Sequence, residues 1–180
     1  MNGILFLVVG PSGAGKDTLM LGARAHLAND ERFVFARRSI TRPADAGGED
    51  HEAIDVTEFN RRREAGGFFA HWQAHELNYG LPVALENELA AGKNVLANVS
   101  RAAIPEIIRR YQPTKVVEVI APREILTARL RARGRESEGD LKRRLARKIA
   151  PYPPEADVLT IKNDSTPEIG TKRLLGALMR

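Results

Sequence analysis

Short apolar runs alternate along the chain with longer segments of helical periodicity. Ile4–Val9 is the first run, and Phe33–Ala36, Val95–Ala97, Val116–Ile120 and Val158–Ile161 follow. Runs apolar on both faces suit a parallel sheet covered on both sides, and their length and β-branched content favour strand over buried helix. Between them, Leu19, Ala23 and Leu27 share one helical face, as do Ile104, Ile107, Ile108 and Tyr111, which places Tyr111 in the core. Pro82, Pro122 and Pro167 stand where first helical turns are expected, and Gly92 follows a last turn. This alternation predicts an α/β domain of three layers.

Two stretches break the rhythm. Residues 39–80 are rich in Gly, charge and aromatics and read as an insertion. Residues 134–141 read as a polar loop between two Arg-rich helices. The expected organisation is one domain over 1–180, with core segments 1–38 and 81–180. Insertions at the carboxyl ends of strands are where α/β domains bind ligands.

Composition sharpens this picture. A length of 180 residues suits one domain, long enough to bury about two-thirds of the unfolded chain's surface. There is no Cys, which excludes disulfides, thiolate metal sites and Cys nucleophiles. The net charge of +5 first suggests nucleic acid. It is concentrated, however: residues 123–148 hold ten Lys/Arg against four Asp/Glu, leaving 18 against 19 elsewhere. That basic segment lacks the interleaved aromatics of a single-strand platform. The charge points to a nucleotide, with no nucleic-acid partner expected. The longest apolar run is far short of the ~20 residues of a spanning helix, and no signal peptide is expected, so a cytoplasmic protein without membrane contact is anticipated.

The first strand runs straight into Gly10-Pro11-Ser12-Gly13-Ala14-Gly15-Lys16-Asp17-Thr18. This is the phosphate-loop pattern in its required place, after a strand and before a helix. Its glycines let successive N–H groups turn inward, the helix N-terminus adds a positive dipole end, and Lys16 reaches the β/γ-phosphates. The position after the Lys, usually Ser or Thr, is Asp17. A carboxylate beside a triphosphate is repulsive unless a cation lies between them. Asp17 either binds Mg2+, directly or through water, or complements the helix dipole. Thr18 offers a hydroxyl to the α-phosphate.

The phosphate loop, Ser39-Ile40-Thr41-Arg42-Pro43, Gly48-Glu49, Phe68-Phe69 before Trp72, Asn78-Tyr79-Gly80, Arg129-Leu130 with Arg133-Gly134, Arg143-Arg144-Leu145 and Lys162-Asn163-Asp164 come in the order seen in guanylate kinases. The resemblance covers nearly the whole chain. It implies a three-layer P-loop NTPase fold with a five-stranded parallel sheet, an acceptor-binding insertion over 39–80 and an ATP lid over about 134–141. It further implies that Arg133 and Arg144, together with Arg147, close over the ATP phosphates, that Asn163 lies against adenine, and that Arg42 and Tyr79 grip an acceptor phosphate.

The departures fall on the groups that read guanine in that family. The Glu before the Trp is His71, the Asp-x-Asp after the next strand is Asn98-Val99-Ser100, and the segment carrying a base-binding Tyr is missing between Glu49 and Phe59. A site built to hydrogen-bond a base discriminates by about 10⁴, so this loss argues against GMP. Gly15-Lys16-Asp17, Ile40-Thr41-Arg42, Glu49-x-His51, Trp72 with Tyr79-Gly80, Asn98-x-Ser100-Arg101 and Arg133-Gly134-Arg135-Glu136 resemble instead the ribose 1,5-bisphosphate phosphokinases.

That narrower resemblance implies ATP-dependent phosphorylation of a sugar bisphosphate, with Mg2+, in phosphonate utilisation. It assigns Arg42 and Arg101 to phosphates, Glu49, His51 and Asn98 to sugar hydroxyls or metal-bound water, and His71, Tyr79 and Ser100 to the same acceptor pocket. The expected catalytic residues are Lys16, Arg133 and Arg144, and the expected state is a monomer or homodimer. The alternatives are a guanylate kinase, a non-catalytic guanylate-kinase-like binding module, and a nucleic-acid-dependent NTPase, which would need an acid where Asn98 stands. His51, His71 and His75 match no trusted zinc spacing. Trp72 is expected in the core, and Arg61-Arg62-Arg63 on a solvated helical face behind Thr57.

Overall fold

The computed structural model describes residues 2–46, 49–74, 76–133 and 151–180, with the side chains of all but Ala46 and Arg133. Strand β1 (Leu5–Val9) leads through a glycine-rich turn to α1 (Lys16–His26) and then β2 (Phe33–Phe35). A second group follows: β3 (Ser39–Ile40), β4 (Glu52–Ala53), α2 (Val56–Glu64), β5 (Phe68–Ala74) and β6 (Leu77–Pro82). The chain then runs through α3 (Leu85–Ala90), β7 (Asn94–Asn98), α4 (Ile104–Arg110), β8 (Thr114–Ile120), α5 (Arg123–Arg133), β9 (Asp157–Lys162) and α6 (Pro167–Leu178).

Five strands form one parallel sheet in the order β2-β7-β1-β8-β9. All five apolar runs of the sequence lie in it. β1 is central and wholly buried, and its alternate side chains serve opposite layers. Leu5, Leu7 and Val9 pack with Leu89, Ile104 and Ile107 on one side. Phe6 and Val8 pack with Leu19, Ala23, Leu126 and Leu174 on the other. Each of the Val, Leu, Ile and Phe side chains among them contributes about 1.5–3 kcal/mol when taken from water. Tyr111 packs against the first layer and its hydroxyl donates to Gly3 O at 2.6 Å.

The second sheet has the order β4-β3-β6-β5, mixed in direction, with β5 and β6 a hairpin. Pro82 closes β6 opposite Phe68 instead of opening α3. At a strand end the missing N–H costs no ladder bond. Asp55 caps α2, its carboxylate accepting from Glu58 N at 2.7 Å. Arg62 does not lie on a purely solvated face. It donates to Glu58 Oε1 at 2.6 Å and to Glu52 of β4 at 2.8 and 2.9 Å, tying α2 to the sheet.

Side chains alternate across this sheet. Cross-strand partners Trp72 and Tyr79, with Ile40 beside them, share one face. His71, Gly80 and Ser39 share the other. Phe59 of α2 meets His71 edge-on at 6.5 Å and stacks on Phe68 at 4.8 Å, so α2 packs at the edge of the His71 face and leaves His71 itself exposed. Among the described residues, no helix is long and apolar enough to cross a membrane.

Candidate active site

The phosphate loop is shaped from below. Gly15, the N-cap of α1, has φ 87°, and a Cβ there would lie 2.5 Å from Asn163 Nδ2. Gly10 has φ 152°, and its Cβ would lie 2.2 Å from Val119 O. Only glycine fits both the angles and the space. Lys16 Nζ donates to Gly10 O at 2.8 Å and Pro11 O at 3.2 Å, folding the ammonium back over the loop.

Asn163, at the end of β9, is 3% exposed and donates through Nδ2 to Ala14 O at 2.6 Å. Its Oδ1 is buried without a partner among the described residues. Arg129 of α5 donates to Asn163 O at 3.2 Å and Ala14 O at 3.4 Å. A cavity of about 270 Å3 opens here, walled by Gly13, Gly15, Thr18, Arg129, Asn163 and Pro167. Asn163 therefore braces the loop while standing in the wall of a pocket beside it. Arg129 thus stands beside the phosphate loop, and sequence reasoning had left it within a family motif without a role. The Arg-x-x-x-Arg spacing to Arg133, one helical turn, was the signal available. The Arg133 side chain, Arg144 and Arg147 lie outside the described residues.

Asp17 is exposed in the first turn of α1. Asn98, 8% exposed at the end of β7, donates through Nδ2 to Asp17 Oδ1 at 2.9 Å. Ser100 caps the 3-10 turn Arg101–Ala103, accepting from Ala102 N at 3.4 Å. Arg101 is ion-paired with Glu118 of β8, and its guanidinium lies 5.0 Å from the ring centroid of Tyr152. Burial pushes the Tyr152 phenol up from its ordinary value. Glu118 aligns with Val9 immediately before the phosphate loop. Asn98, Ser100 and Arg101 thus sit together at the ends of the central strands.

A second polar group stands where the core leads into the insertion. Arg38, 7% exposed, is ion-paired with Glu49, its Nε donating to Oε2 at 3.1 Å. Its guanidinium lies 5.0 Å from the Tyr79 ring centroid and 5.9 Å from that of Trp72. The two rings stack in parallel at 5.6 Å. Trp72 is half-buried, packed against the first core layer as well as forming this stack.

His51 is buried and closes the loop before β4. Its Nε2 stands 3.1 Å from Arg42 O and its Nδ1 3.0 Å from Glu49 O and 3.3 Å from Arg42 Nη2. Arg42 Nε is buried without a partner among the described residues. Arg42, Glu49, His51 and Tyr79 are brought into one neighbourhood through Arg38, which sequence reasoning missed. His71 is exposed on the opposite face of the sheet and does not join them. His75 and Gly48 lie outside the described residues. Among the described residues, no group of three or more His, Asp or Glu is placed to hold a metal ion.

No family model matches the chain. It is 44% identical, over 98% of its length and 96% of the relative's, to a ribose 1,5-bisphosphate phosphokinase PhnN of Agrobacterium fabrum. It is 49% identical, over 99% of its length, to a bifunctional ribose 1,5-bisphosphokinase-thymidine phosphorylase of Azorhizobium caulinodans, of which it spans 26%. In fold it is similar to a guanylate kinase from Anaplasma phagocytophilum, with a TM-score of 0.67 and 21% identity over 99% of this chain and 85% of that one.

Proposed function

The chain belongs to the ribose 1,5-bisphosphate phosphokinase family, and on that premise we propose that it makes 5-phosphoribosyl 1-diphosphate from ribose 1,5-bisphosphate and ATP. An oxygen of the 1-phosphate attacks the γ-phosphorus, a new P–O bond forms, and ADP leaves with the electrons of the broken bond. The observation that carries this reading is an intact phosphate loop around Lys16 in a chain so close to a named relative along its length.

The acceptor oxygen is already ionised near neutral pH, so no general base is required. Such transfer depends on positioning and on charge neutralisation. Lys16 would leave Gly10 O and Pro11 O for the β/γ-phosphates. The inward N–H groups of the loop hold the triphosphate. The cavity walled by Arg129 and Asn163 takes the adenine side of ATP. We assign the lid to about 134–141, with Arg133, Arg144 and Arg147 closing over the phosphates. Asp17 fits Mg2+, which favours one or two carboxylates together with substrate phosphates, and the exposed carboxylate needs a cation once ATP arrives. The ion would neutralise charge on the β- and γ-phosphates.

Residues 39–80 form the acceptor side in this reading. Arg42 and Arg101 would take phosphates, while Glu49, His51, Tyr79 and Ser100 would supply groups for phosphate and sugar oxygens. Arg101 must then release Glu118 on binding. His71, across the sheet, is the weakest member of the set. The expected setting is a cytoplasmic monomer or homodimer in phosphonate utilisation. Guanylate kinase is not favoured, because the groups at its base-reading positions are turned elsewhere: His71 toward Phe59 and Asn98 toward Asp17.

The test is ADP release from Mg-ATP with ribose 1,5-bisphosphate or with GMP as acceptor. Turnover is expected with the sugar bisphosphate. GMP supporting turnover at least as well would overturn the reading.

A further inference from the structure

Most phosphate loops hold Mg2+ with a Ser or Thr hydroxyl after the Lys and an acid at the end of a neighbouring strand. Here the hydroxyl position is a carboxylate, Asp17, and the neighbouring strand β7 ends in an amide, Asn98. Asn98 aligns with Val8 of β1, directly beside the loop. The two side chains touch, with Asn98 Nδ2 donating to Asp17 Oδ1 at 2.9 Å.

The direction of that bond is fixed by chemistry. An ionised carboxylate only accepts, so the group facing it must be the NH2 end of the amide. Asn98 is buried and Asp17 is exposed, so the amide is the fixed partner and the carboxylate the one it steers. Asp17 Oδ2 accepts no hydrogen bond among the described residues.

We propose that acid and neutral donor have exchanged places in this active site: Asp17 is the protein's metal-binding carboxylate, and Asn98 is a positioning residue that aims it. An acid at 98 would repel Asp17, and an apolar residue would leave it free to rotate. A single carboxylate is thus kept beside the metal, now on the phosphate-loop helix. This takes Asn98 out of the acceptor pocket. The inference rests on the ATP-binding half of the proposed function and is independent of the acceptor.

Binding of Mn2+ is measured by electron paramagnetic resonance in the presence of ADP and without acceptor, alongside turnover. Asn98→Ala is expected to weaken Mn2+ binding about 10- to 100-fold, as loss of a metal-orienting partner does elsewhere, with the acceptor KM unchanged. Asp17→Thr alone should weaken it at least as much. The exchanged variant Asp17→Thr/Asn98→Asp restores the common arrangement and should recover most of the affinity. It also serves as a readout if the alanine variant fails to fold, which a thermal melt shows.

Wild-type Mn2+ affinity in Asp17→Thr overturns the metal role. A raised acceptor KM with unchanged Mn2+ binding in Asn98→Ala returns Asn98 to the acceptor site. If wild-type protein binds Mn-ADP but does not phosphorylate ribose 1,5-bisphosphate, the acceptor reading alone has failed.

Discussion

The phosphate loop and the insertion are held by different forces. Around the loop, β1 is wholly buried, the ladders on both sides are parallel, and the turn is fixed by space: backbone angles and close approach leave no room for side chains. In the insertion, β3 and β4 have two residues each, too short to hold by ladder alone. Ionic and stacked contacts do that work: Arg38 with Glu49 over Tyr79 and Trp72, Arg62 with Glu52 and Glu58, and His51 with Arg42. Ser39 Oγ also donates to Glu52 Oε2 at 2.7 Å. The loop should therefore respond to added atoms, and the insertion to removed charges.

Lys16→Ala tests the loop's chemistry without touching its shape. Turnover should fall by about 10³-fold or more, with the melting curve unchanged; surviving activity would mean the loop is misassigned. Gly15→Ala should break the shape itself. A methyl group 2.5 Å from Asn163 Nδ2, at positive φ, should cost about 2–3 kcal/mol in a urea melt and abolish nucleotide binding.

Arg38→Met probes the other half. It leaves Glu49 unpaired in a mostly buried place, which should cost about 2–3 kcal/mol, and Arg38→Met/Glu49→Gln should recover most of that loss. The acceptor KM should rise about tenfold while the ATP KM stays put. A matching rise in the ATP KM would show that the two halves are not separable in this way.

The smallest effect is that of acid. Arg62 first, then Ser39, holds Glu52 below its ordinary 4.5, while Arg61 and Arg62 hold Glu58 at about 2. A carboxyl whose folded pKa is lowered stabilises the fold fully above its unfolded value and loses that contribution as pH falls through the folded one. The insertion should therefore loosen between about pH 4.5 and 2. Trp72, the single tryptophan, reports on that sheet by fluorescence. Arg62→Met should flatten the response over this window; an unchanged profile would remove these pairs from the account.

The same division explains what could be read from the chain. Ile4–Val9 followed by Gly10–Thr18 is local information: a run, a turn and a helix start that can be recognised without knowing any distant partner. The five core strands and the loop were legible for that reason. Arg38 was not. It stands in an unremarkable Arg37-Arg38 pair, and its burial arises only when β3 lies beside β6 and Glu49 folds back. Asn98 was noticed as a departure from a motif, but its partner is 81 residues away in sequence. The resemblance placed His71 with Tyr79, and the pleat separates them, because cross-strand pairing sets the face. Pro82 misled because proline can stand at the start of a helix or at the end of a strand, as it does at the end of β6.

Asn163 has a consequence for biosynthesis. The phosphate loop is written in the first eighteen residues, and Lys16 braces it locally, yet its other side-chain and strand supports lie far away in sequence. Val8 aligns with Asn98, Val9 with Glu118, and Ala14 O is held by Asn163 and Arg129. A chain emerging from the ribosome carries its phosphate loop from the start but lacks the distant contacts that brace it until residue 163 is free. Nucleotide affinity should switch on late and abruptly as nascent chains lengthen. Contacts of such long sequence separation also make for slow folding, and ATP would then stabilise only chains that are nearly complete.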